Sequence, residues 1–473
     1  MPREPMEAKE YIADLMRRAR KAQKVAEHYT QAQADQLAFA ICYEVANDPA
    51  IVESWAKLAL EETRLGDYAS KLAKVRSKCR QMFYDVKNIK TVGVTEEIPE
   101  KGLMRISKPV GVIGSLVPST QPEMHPMIQA VNAMKARDAI IFAPHPRGKK
   151  TSTLACNVMR SILKRYGAPE DLILCIEEPT IQLTDELMHQ CDLVIATGGQ
   201  PMVRAAYSSG RPAFGVGAGN ACITVDKTAD LADAAVKIRN SKTFDLAAGC
   251  SCDNSVIIED EVYESMLREL RKVGGHLLNA EEKEKLRRAI WPEWPKNHVI
   301  NRDVVASPVS HIAKIAGIQI PEQTSFLMVE EELTGAKTPF AGEKMTVTMA
   351  VYRFHGIDDA IRIVNENHAY SGAGHSCGIY STDEQNILTY ALNTYTTRVT
   401  INQPNALTNT GSWTSGLPFT SSLGCGTWGG NICSENISLK HYMNNTWMIR
   451  EIPNFQPTDE ELWSGFTAGK AIQ

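Results

Sequence analysis

The fold is decided by residues 128–199, IQAVNAMKARDAIIFAPHPRGKKTSTLACNVMRSILKRYGAPEDLILCIEEPTIQLTDELMHQCDLVIATGG. Short apolar runs in this stretch, AIIFA, LILCI and LVIAT, alternate with longer segments whose apolar residues recur at helical spacing. Repeated alternation of this kind is typical of parallel strands joined by crossover helices. The stretch therefore predicts a doubly wound α/β domain that binds a nucleotide at the carboxyl ends of its strands.

The segments on either side extend this picture. Residues 7–85 carry apolar positions at helical spacing and predict three or four helices. Residues 88–117 alternate and are rich in Val and Ile, which predicts a β extension. A second strand and helix series runs from ACITVD, near residue 221, to RVTINQ and predicts a second α/β domain.

Composition limits the classes of function. The chain has 473 residues, of which 43% are hydrophobic and 22% charged, as in ordinary globular proteins. Its formal charge of -4 without long single-sign blocks argues against nucleic acid as a main partner. The apolar runs are far shorter than the ~20 residues that span a bilayer, so no membrane span is expected. The eleven cysteines lack disulfide-scaffold spacing, and the N-terminus lacks a secretory pattern, so we expect a cytoplasmic protein with reduced thiols.

Cys250 is the first candidate for chemistry. It follows two alanines and a glycine and precedes a strand-like run, so its thiol is expected at an uncrowded junction, as a nucleophile requires. On pattern alone, a buried apolar role is the commoner one for a cysteine. Cys252, two residues on, is expected to pack or to form a reversible disulfide, and no second cysteine pair at zinc-site spacing accompanies it. No metal site is therefore predicted.

Six ordered motifs place Cys250 in a wider context. They resemble the aldehyde dehydrogenase superfamily, and specifically its coenzyme A-acylating branch: APHPRGKK (143–150), ATGG with YSSGRPAFGVGAGN (196–199 and 207–220), KTFDLAAGCSCDNS (242–255), GEKMTV (342–347), SGAGHS (371–376) and LGCGTWGGNICSEN (423–436). With the N-terminal helices and the β extension, the resemblance covers nearly the whole chain. It implies an aldehyde dehydrogenase-like fold of two doubly wound α/β domains plus a β oligomerisation extension.

The resemblance also implies the domain bounds. Residues 1–225 would form the nucleotide-binding domain, with the N-terminal helices and the β extension at about 88–117. Residues 226–425 would form the catalytic domain, and residues 426–473 would return to the first domain and supply an oligomerisation tail. A homodimer or homotetramer is then expected, because an isolated sheet edge needs a cover.

Carried over by position, Cys250 matches the catalytic cysteine of the family. Its thiolate would attack an aldehyde to give a thiohemiacetal, which passes a hydride to NAD or NADP and leaves an acyl-enzyme for coenzyme A, the co-substrate. Hydrolytic relatives place a general-base glutamate where this chain has Gly215. Without that carboxylate, acyl transfer to a thiol is favoured over hydrolysis.

The remaining site residues carry roles by the same resemblance. Two more are expected in catalysis: His375, near the thiol, and Thr120, as an oxyanion donor in PSTQP, although Gln121 differs from the asparagine of many relatives. Contacts to the nucleotide are expected from these residues: His145, Pro146, Gly198, Gly199, Gly215, Gly217 and Glu343. Arg211 and Lys149 are expected to bind phosphates of coenzyme A or of the nucleotide, or an anionic substrate tail. A core histidine at 375, a turn-forming His145, and solvated roles for Glu343, Arg211 and Lys149 remain the alternatives.

Several functions stay open. The TFDLAAGCSCDNSV and ENISLKHYMN strings resemble most the acylating relatives that use short anionic aldehydes, such as sulfoacetaldehyde or succinate semialdehyde. Acetaldehyde and propionaldehyde are the other acylating substrates. A hydrolytic aldehyde dehydrogenase and a non-catalytic scaffold of the same fold are the competing classes, opposed by Gly215 and by the intact Cys250, ATGG and Glu343.

Overall fold

The structure, a computed structural model, describes residues 5–466. Four helices open the chain, in agreement with the predicted three or four: α1 (Pro5–Ala26), α2 (Gln31–Asn47), α3 (Pro49–Thr63) and α4 (Tyr68–Val86). Their starts follow from the sequence, because Thr30, Asp48 and Asp67 each accept a backbone N–H of the first turn.

A doubly wound domain follows the helices and a β hairpin. Its elements are β1 (Gly93–Ile98), β2 (Leu103–Pro109), β3 (Val112–Val117), α5 (His125–Ala136), β4 (Ala139–Pro144), α6 (Lys149–Arg165), β5 (Ile173–Cys175), α7 (Ile181–Gln190), β6 (Leu193–Thr197), α8 (Gln200–Ser208) and β7 (Ala213–Val216). Strands β3 to β7 form a parallel sheet in the order β5-β4-β3-β6-β7. Strand order reverses between β3 and β6, and ligands of such sheets bind beyond the carboxyl ends at this point.

The segment 88–117 differs from the prediction of one β extension. Strands β1 and β2 form an exposed antiparallel pair, but β3 is the fully buried central strand of the parallel sheet. Gly111, at φ +119°, lies between the two sheets and allows the chain to change direction. Alternation of Val and Ile alone does not separate an exposed strand from a buried one.

The second series forms a larger parallel sheet. Its elements are β8 (Ala221–Val225), α9 (Leu231–Thr243), β9 (Asp253–Glu259), α10 (Tyr263–Lys272), β10 (Gly275–Leu277), α11 (Ala280–Ile290), α12 (Val309–Ala316), β11 (Phe326–Glu330), β12 (Thr348–Phe354), α13 (Ile357–Tyr370), β13 (Cys377–Tyr380), α14 (Glu384–Asn393), β14 (Val399–Ile401) and α15 (Asn405–Thr408). The seven strands have the order β10-β11-β12-β9-β8-β13-β14. Each parallel sheet has its own buried apolar core, and the fold class predicted from the sequence is confirmed.

The last described segment returns to the first domain. Ile437, Leu439 and Tyr442 pack in the first core, and β15 (Met443–Ile449) then pairs antiparallel with β2, before the short α16 (Asp459–Trp463). The resulting three-stranded sheet, β1-β2-β15, has two unpaired edges in the described chain. Among residues 5–466, no helix combines the length and the apolar character needed to cross a bilayer.

Candidate active site

Cys250 lies in the turn between α9 and β9, and a histidine contacts its thiol. The Nε2 atom of His375 is 3.2 Å from the Cys250 Sγ atom, although the two residues are 125 positions apart in sequence. The His375 Nδ1 atom is 2.9 Å from Ser376 Oγ. When Nδ1 carries the proton and donates to Ser376, Nε2 has a free lone pair that can accept the proton of the thiol.

Burial keeps this pair neutral at rest. It lowers the pKa of His375 well below its usual value, and the nearby Arg398 guanidinium lowers it further. Burial also raises the pKa of the Cys250 thiol to about 12, with Glu343 adding to the effect and Arg398 opposing it. The site therefore holds a thiol beside a neutral imidazole, whose Nε2 atom lies within reach of the thiol proton.

Tight backbone contacts hold the histidine loop in place. Gly374 has φ +76°, and a Cβ atom there would lie 1.9 Å from the carbonyl oxygen of Cys425. On the other side of the thiol, a Cβ atom at Gly219 would lie 1.9 Å from the carbonyl oxygen of Cys250 itself. Glycine at these two positions lets the His375 loop pack against the Cys425 backbone, and lets the segment around Gly219 pack against the Cys250 backbone.

Two side chains that were not predicted from the sequence support the same contact. Asn405, at the start of α15, donates from Nδ2 to the Ser251 carbonyl at 2.9 Å and to Ser376 Oγ at 3.4 Å. Arg398 is buried and donates to the His375 carbonyl at 2.8 Å. Asn405 links the cysteine segment to the histidine segment, and Arg398 holds the histidine segment from the start of β14, so both support the contact between Cys250 and His375.

The turn that leads to Cys250 has an unusual backbone. Asp245, Leu246 and Ala247 have φ values of 48°, 51° and 63°, all in the left-handed region that residues with a Cβ atom rarely adopt. A left-handed residue costs about 1–2 kcal/mol, so contacts elsewhere must hold the turn. Asp245 supplies them, because its carboxylate accepts the Asp67 N–H at 3.1 Å and contacts buried lysines of α4.

These lysines belong to a buried group of four charges. Asp245 Oδ2 is 2.6 Å from Lys74 Nζ and 3.4 Å from Lys71 Nζ. Glu123, which follows the Thr120 loop, lies 3.2 Å from Lys74 Nζ and 3.8 Å from Lys71 Nζ. Burial opposes the charge of Lys74, but the carboxylates of Asp245 and Glu123 outweigh it and raise its pKa above the usual value. The two lysines and two carboxylates, here called the buried charge cluster, join α4 to both loops of the site.

Two cavities meet at Cys250, and Thr120, Gln121 and Cys250 line both. The first, the helix-side cavity, has a volume of about 220 Å³ and lies against α4 and the loop around Trp413. The second, the sheet-side cavity, has a volume of about 300 Å³ and lies at the carboxyl ends of β3, β4, β6 and β7. A group reaching Cys250 from either side therefore meets the same thiol.

The sheet-side cavity brings together most of the residues predicted to hold a nucleotide. Its lining includes His145, Gly198, Gly199, Gly217 and Glu343. Gly199 precedes the first turn of α8, where free backbone N–H groups and the helix dipole favour a phosphate. The cavity also lies at the switch point between β3 and β6, so its residues fit a dinucleotide.

Two of these residues also have local contacts. His145 accepts the Arg147 N–H at its Nδ1 atom, 3.1 Å away, so the turn-forming role considered above is present as well. Glu343 faces the cavity, where burial raises the pKa of its carboxyl group to about 8, while the Gly219 N–H partly opposes the shift. Glu343 is therefore largely protonated at neutral pH and can both donate and accept hydrogen bonds.

Four other predicted contacts lie elsewhere. Arg211 donates from Nε to the His189 carbonyl at 2.7 Å, Pro146 is exposed, and Lys149 pairs with Glu178. None of these three lines either cavity. Gly215 also lies outside the lining, because position 215 faces α8.

Gly215 leaves no room for a carboxylate. A Cβ atom at this position would lie 2.8 Å from Val203 Cγ1 and 3.0 Å from Tyr207 Cε2. The Tyr207 hydroxyl also contacts the Gly215 backbone, as acceptor from N and donor to O. A side chain at position 215 would therefore meet Val203 and the Tyr207 ring.

Comparisons with known proteins agree with this geometry. A sequence profile described as the aldehyde dehydrogenase family matches residues 5–278. The sulfoacetaldehyde dehydrogenase (acylating) of Bilophila wadsworthia is 41% identical over 458 residues, which cover 96% of this chain and 98% of that protein. The succinate-semialdehyde dehydrogenase (acetylating) of Clostridium kluyveri is 38% identical over 458 residues, with the same coverage of 96% and 98%.

A solved structure shows the same architecture. The acetylating aldehyde dehydrogenase from Geobacillus thermoglucosidasius has a TM-score of 0.92 to this chain at 31% sequence identity. The match covers 97% of this chain and 100% of that one. Both doubly wound domains and the three-stranded extension thus lie within the compared region.

Proposed function

Because this chain belongs to the aldehyde dehydrogenase family, and to its coenzyme A-acylating branch, we propose that it oxidises a short anionic aldehyde to an acyl-CoA. The reaction is aldehyde + CoA + NAD(P)+ giving acyl-CoA + NAD(P)H + H+, and it is reversible because a thioester retains much of the oxidation free energy. Sulfoacetaldehyde and succinate semialdehyde are the proposed substrates, supported by the relatives that act on them.

One observation carries the proposal: the 3.2 Å contact between Cys250 Sγ and His375 Nε2 at the meeting point of two cavities. His375 accepts the thiol proton as Cys250 attacks the aldehyde carbon, which gives a thiohemiacetal. Thr120 faces both cavities beside the thiol, and its hydroxyl, with the backbone N–H of Cys250, would stabilise the oxyanion.

The sheet-side cavity is the proposed nucleotide site. A bound nicotinamide nucleotide supplies the hydride acceptor for the oxidation. Gly198, Gly199 and Gly217 present backbone without side chains to its phosphates, and Glu343 is placed to hold a ribose.

Acyl transfer to a thiol is proposed as the second half of the reaction. The acyl group on Cys250 needs a nucleophile, and water needs a base to become one. Position 215 offers no carboxylate and has no space for one. The coenzyme A thiol is a better nucleophile, and His375 is placed to accept its proton.

A substitution tests the whole reaction. Cys250→Ala is expected to abolish CoA-dependent NAD(P)H formation while leaving the circular dichroism spectrum unchanged, because the alanine fits the space of the thiol. Unchanged activity in this variant would overturn the role of Cys250, whereas a wild type that oxidises no aldehyde would favour a scaffold. Sustained NAD(P)H formation without CoA would overturn the acylating reaction and favour hydrolysis. Neither outcome depends on the choice between the two anionic aldehydes.

We also propose a homodimer or homotetramer that pairs through the β1-β2-β15 sheet. Both edge strands of this sheet are unpaired in the described chain, and Trp447 and Ile449 on β15 are 45% and 75% exposed. A second copy would cover these groups. All eleven cysteines are free thiols, which supports the cytoplasm as the proposed location.

A further inference from the structure

The helix-side cavity has one lysine, Lys78, that forms no ion pair within 4.0 Å in the described part of the chain. Its lining holds two lysines of α4, Lys74 and Lys78, and one carboxylate, Asp245. Lys74 is matched by Asp245 and by Glu123 within the buried charge cluster. Lys78 lies outside that cluster, and its ammonium group, with two of three donors directed at Thr410, has one N–H left for a ligand.

The surroundings of Lys78 offer it neutral acceptors. Its Nζ atom donates to Thr410 Oγ1 at 3.0 Å and to the Thr410 carbonyl at 3.4 Å, and it lies 5.9 Å from the centre of the Phe419 ring. Among residues 5–466, no carboxylate oxygen lies within 4.0 Å of it. Asp85, a nearby acid on the same helix, accepts the Phe419 N–H at 2.6 Å instead.

Burial makes this unmatched charge costly. Burial and, to a smaller extent, the charge of Lys74 lower the pKa of Lys78 to about 8, although Asp85 opposes the shift. An anion bound beside the ammonium group would remove the penalty, since a partly buried ion pair with a hydrogen bond is favourable. The cavity is therefore better suited to a negatively charged ligand than to a neutral one.

Lys78 and Cys250 line the same small cavity. Lys74 and Lys78 are one turn apart on α4, about 6 Å along the helix axis. Lys74 contacts Asp245 in the turn that leads to Cys250, and Lys78 lines the same small cavity one turn away. An aldehyde of a few carbons can thus have its carbonyl at Cys250 while its other end points towards Lys78.

We propose that Lys78 is the residue that selects an anionic aldehyde, by binding the sulfonate or carboxylate group at the end opposite the carbonyl. This assignment rests on the proposed function, because it concerns the substrate of the same site. Thr410 positions the ammonium group, while the buried charge cluster holds the turn of Cys250. Sulfonate and carboxylate groups can both accept a charged hydrogen bond from the ammonium group, and assays with one aldehyde of each kind distinguish them.

The test compares anionic and neutral aldehydes in one assay. Sulfoacetaldehyde, succinate semialdehyde and propanal are each assayed with CoA and NAD(P)+, for the wild type, Lys78→Met, Lys78→Arg and Lys87→Met. Lys87→Met makes the same change at an exposed lysine just beyond α4 and serves as the control. Thermal unfolding of each variant checks that the fold is intact.

Lys78→Met is expected to lower kcat/KM for its anionic aldehyde at least about 30-fold, chiefly through KM, because a charged hydrogen bond is lost. Activity with propanal should stay within about threefold, and Lys78→Arg should retain much of the anion preference. Lys87→Met should leave kcat/KM unchanged for both anionic and neutral aldehydes.

Three results would overturn the assignment. They are a wild type that prefers propanal, an equal loss for anionic and neutral aldehydes in Lys78→Met, and a raised KM for CoA with unchanged aldehyde preference. Each of these leaves the acylating activity itself intact. A wild type that forms no acyl-CoA from any of the aldehydes would instead overturn the proposed function, so the two failures are distinguishable.

Discussion

Replacing Asp245 by asparagine should both destabilise the protein and slow its chemistry. Asparagine keeps the size of the side chain and tolerates the left-handed conformation of this residue, so the backbone itself accepts the change. The change removes one of the two negative charges that face Lys71 and Lys74, at 3.4 Å and 2.6 Å. The buried charge cluster then has two ammonium groups and a single carboxylate, Glu123.

The magnitude follows from the burial of the cluster. Its side chains are 0% to 9% exposed, so water does not screen the unmatched charge. Removing one partner of a buried ion pair costs about 3–5 kcal/mol of unfolding free energy. The turn at 245–247 also loses its anchor, so Cys250 should move relative to His375 and kcat should fall at least about tenfold.

Urea denaturation followed by circular dichroism measures the first effect, and NAD(P)H absorbance measures the second. Asp14→Asn is the matched control, because the Asp14–Arg17 pair is exposed and should contribute less than about 1 kcal/mol. The double variant Lys74→Met with Asp245→Asn leaves Lys71 facing Glu123, so it should be more stable than Asp245→Asn alone.

Two outcomes would refute this reasoning. A loss below about 1 kcal/mol in Asp245→Asn would show that the cluster does not stabilise the fold as argued. A double variant less stable than Asp245→Asn would show that Lys74 contributes through packing and not through its charge.

Three further predictions concern the thiol and its neighbours. His375→Asn should lower kcat by about 10²–10⁴-fold, because the thiol loses its proton acceptor, and unchanged kcat in steady-state assays would contradict that role. Gly219→Ala should lower the activity and should lower the unfolding free energy by about 1–3 kcal/mol, since its Cβ atom would lie 1.9 Å from the Cys250 carbonyl oxygen. Gly416→Ala is the control and should behave as wild type, because the space around Gly416 is open. The rate of alkylation of Cys250 by iodoacetamide in the free enzyme should rise about tenfold per pH unit between pH 7 and 10, because its pKa is raised to about 12 and the thiolate fraction is small throughout. Mass spectrometry measures this rate, and a rate independent of pH would contradict a neutral resting thiol.

Much of the fold was predictable because its signals are local. The apolar runs at β4 and β6 and the helical spacing of α6 each lie within one short window of sequence. The position of β3 was not predictable in this way, because its central place depends on pairing with β4 and β6, which lie further along the chain. A strand pattern does not state which strands will flank it.

The candidate site was likewise predictable only where its signals are local in the sequence. Cys250, His375 and the glycines after β6 were found through motifs, and the structure brings them to the same pair of cavities. Lys74 and Lys78 were not found, because lysines at helical spacing on α4 have the pattern of a solvated face. The burial of Lys74 depends on Asp245, 171 residues further along the chain, and the cavity that Lys78 lines depends on the Trp413 loop, so no local window contains either signal.

The three-stranded sheet has a consequence for synthesis of the chain. Pro109 at the end of β2 and its neighbour Asn444 on β15 are 335 residues apart, so a ribosome adding 5–20 residues per second needs about 17–67 s to make the second partner. During that interval β2 has β1 as its neighbour and an open row of amide groups, which invites pairing with another nascent chain. Two chains translated side by side on one messenger would meet while β2 is in this state. When synthesis is completed promptly, β2 instead pairs with β15 of its own chain. Slowing translation after residue 109 should therefore increase aggregation more than slowing it after residue 449.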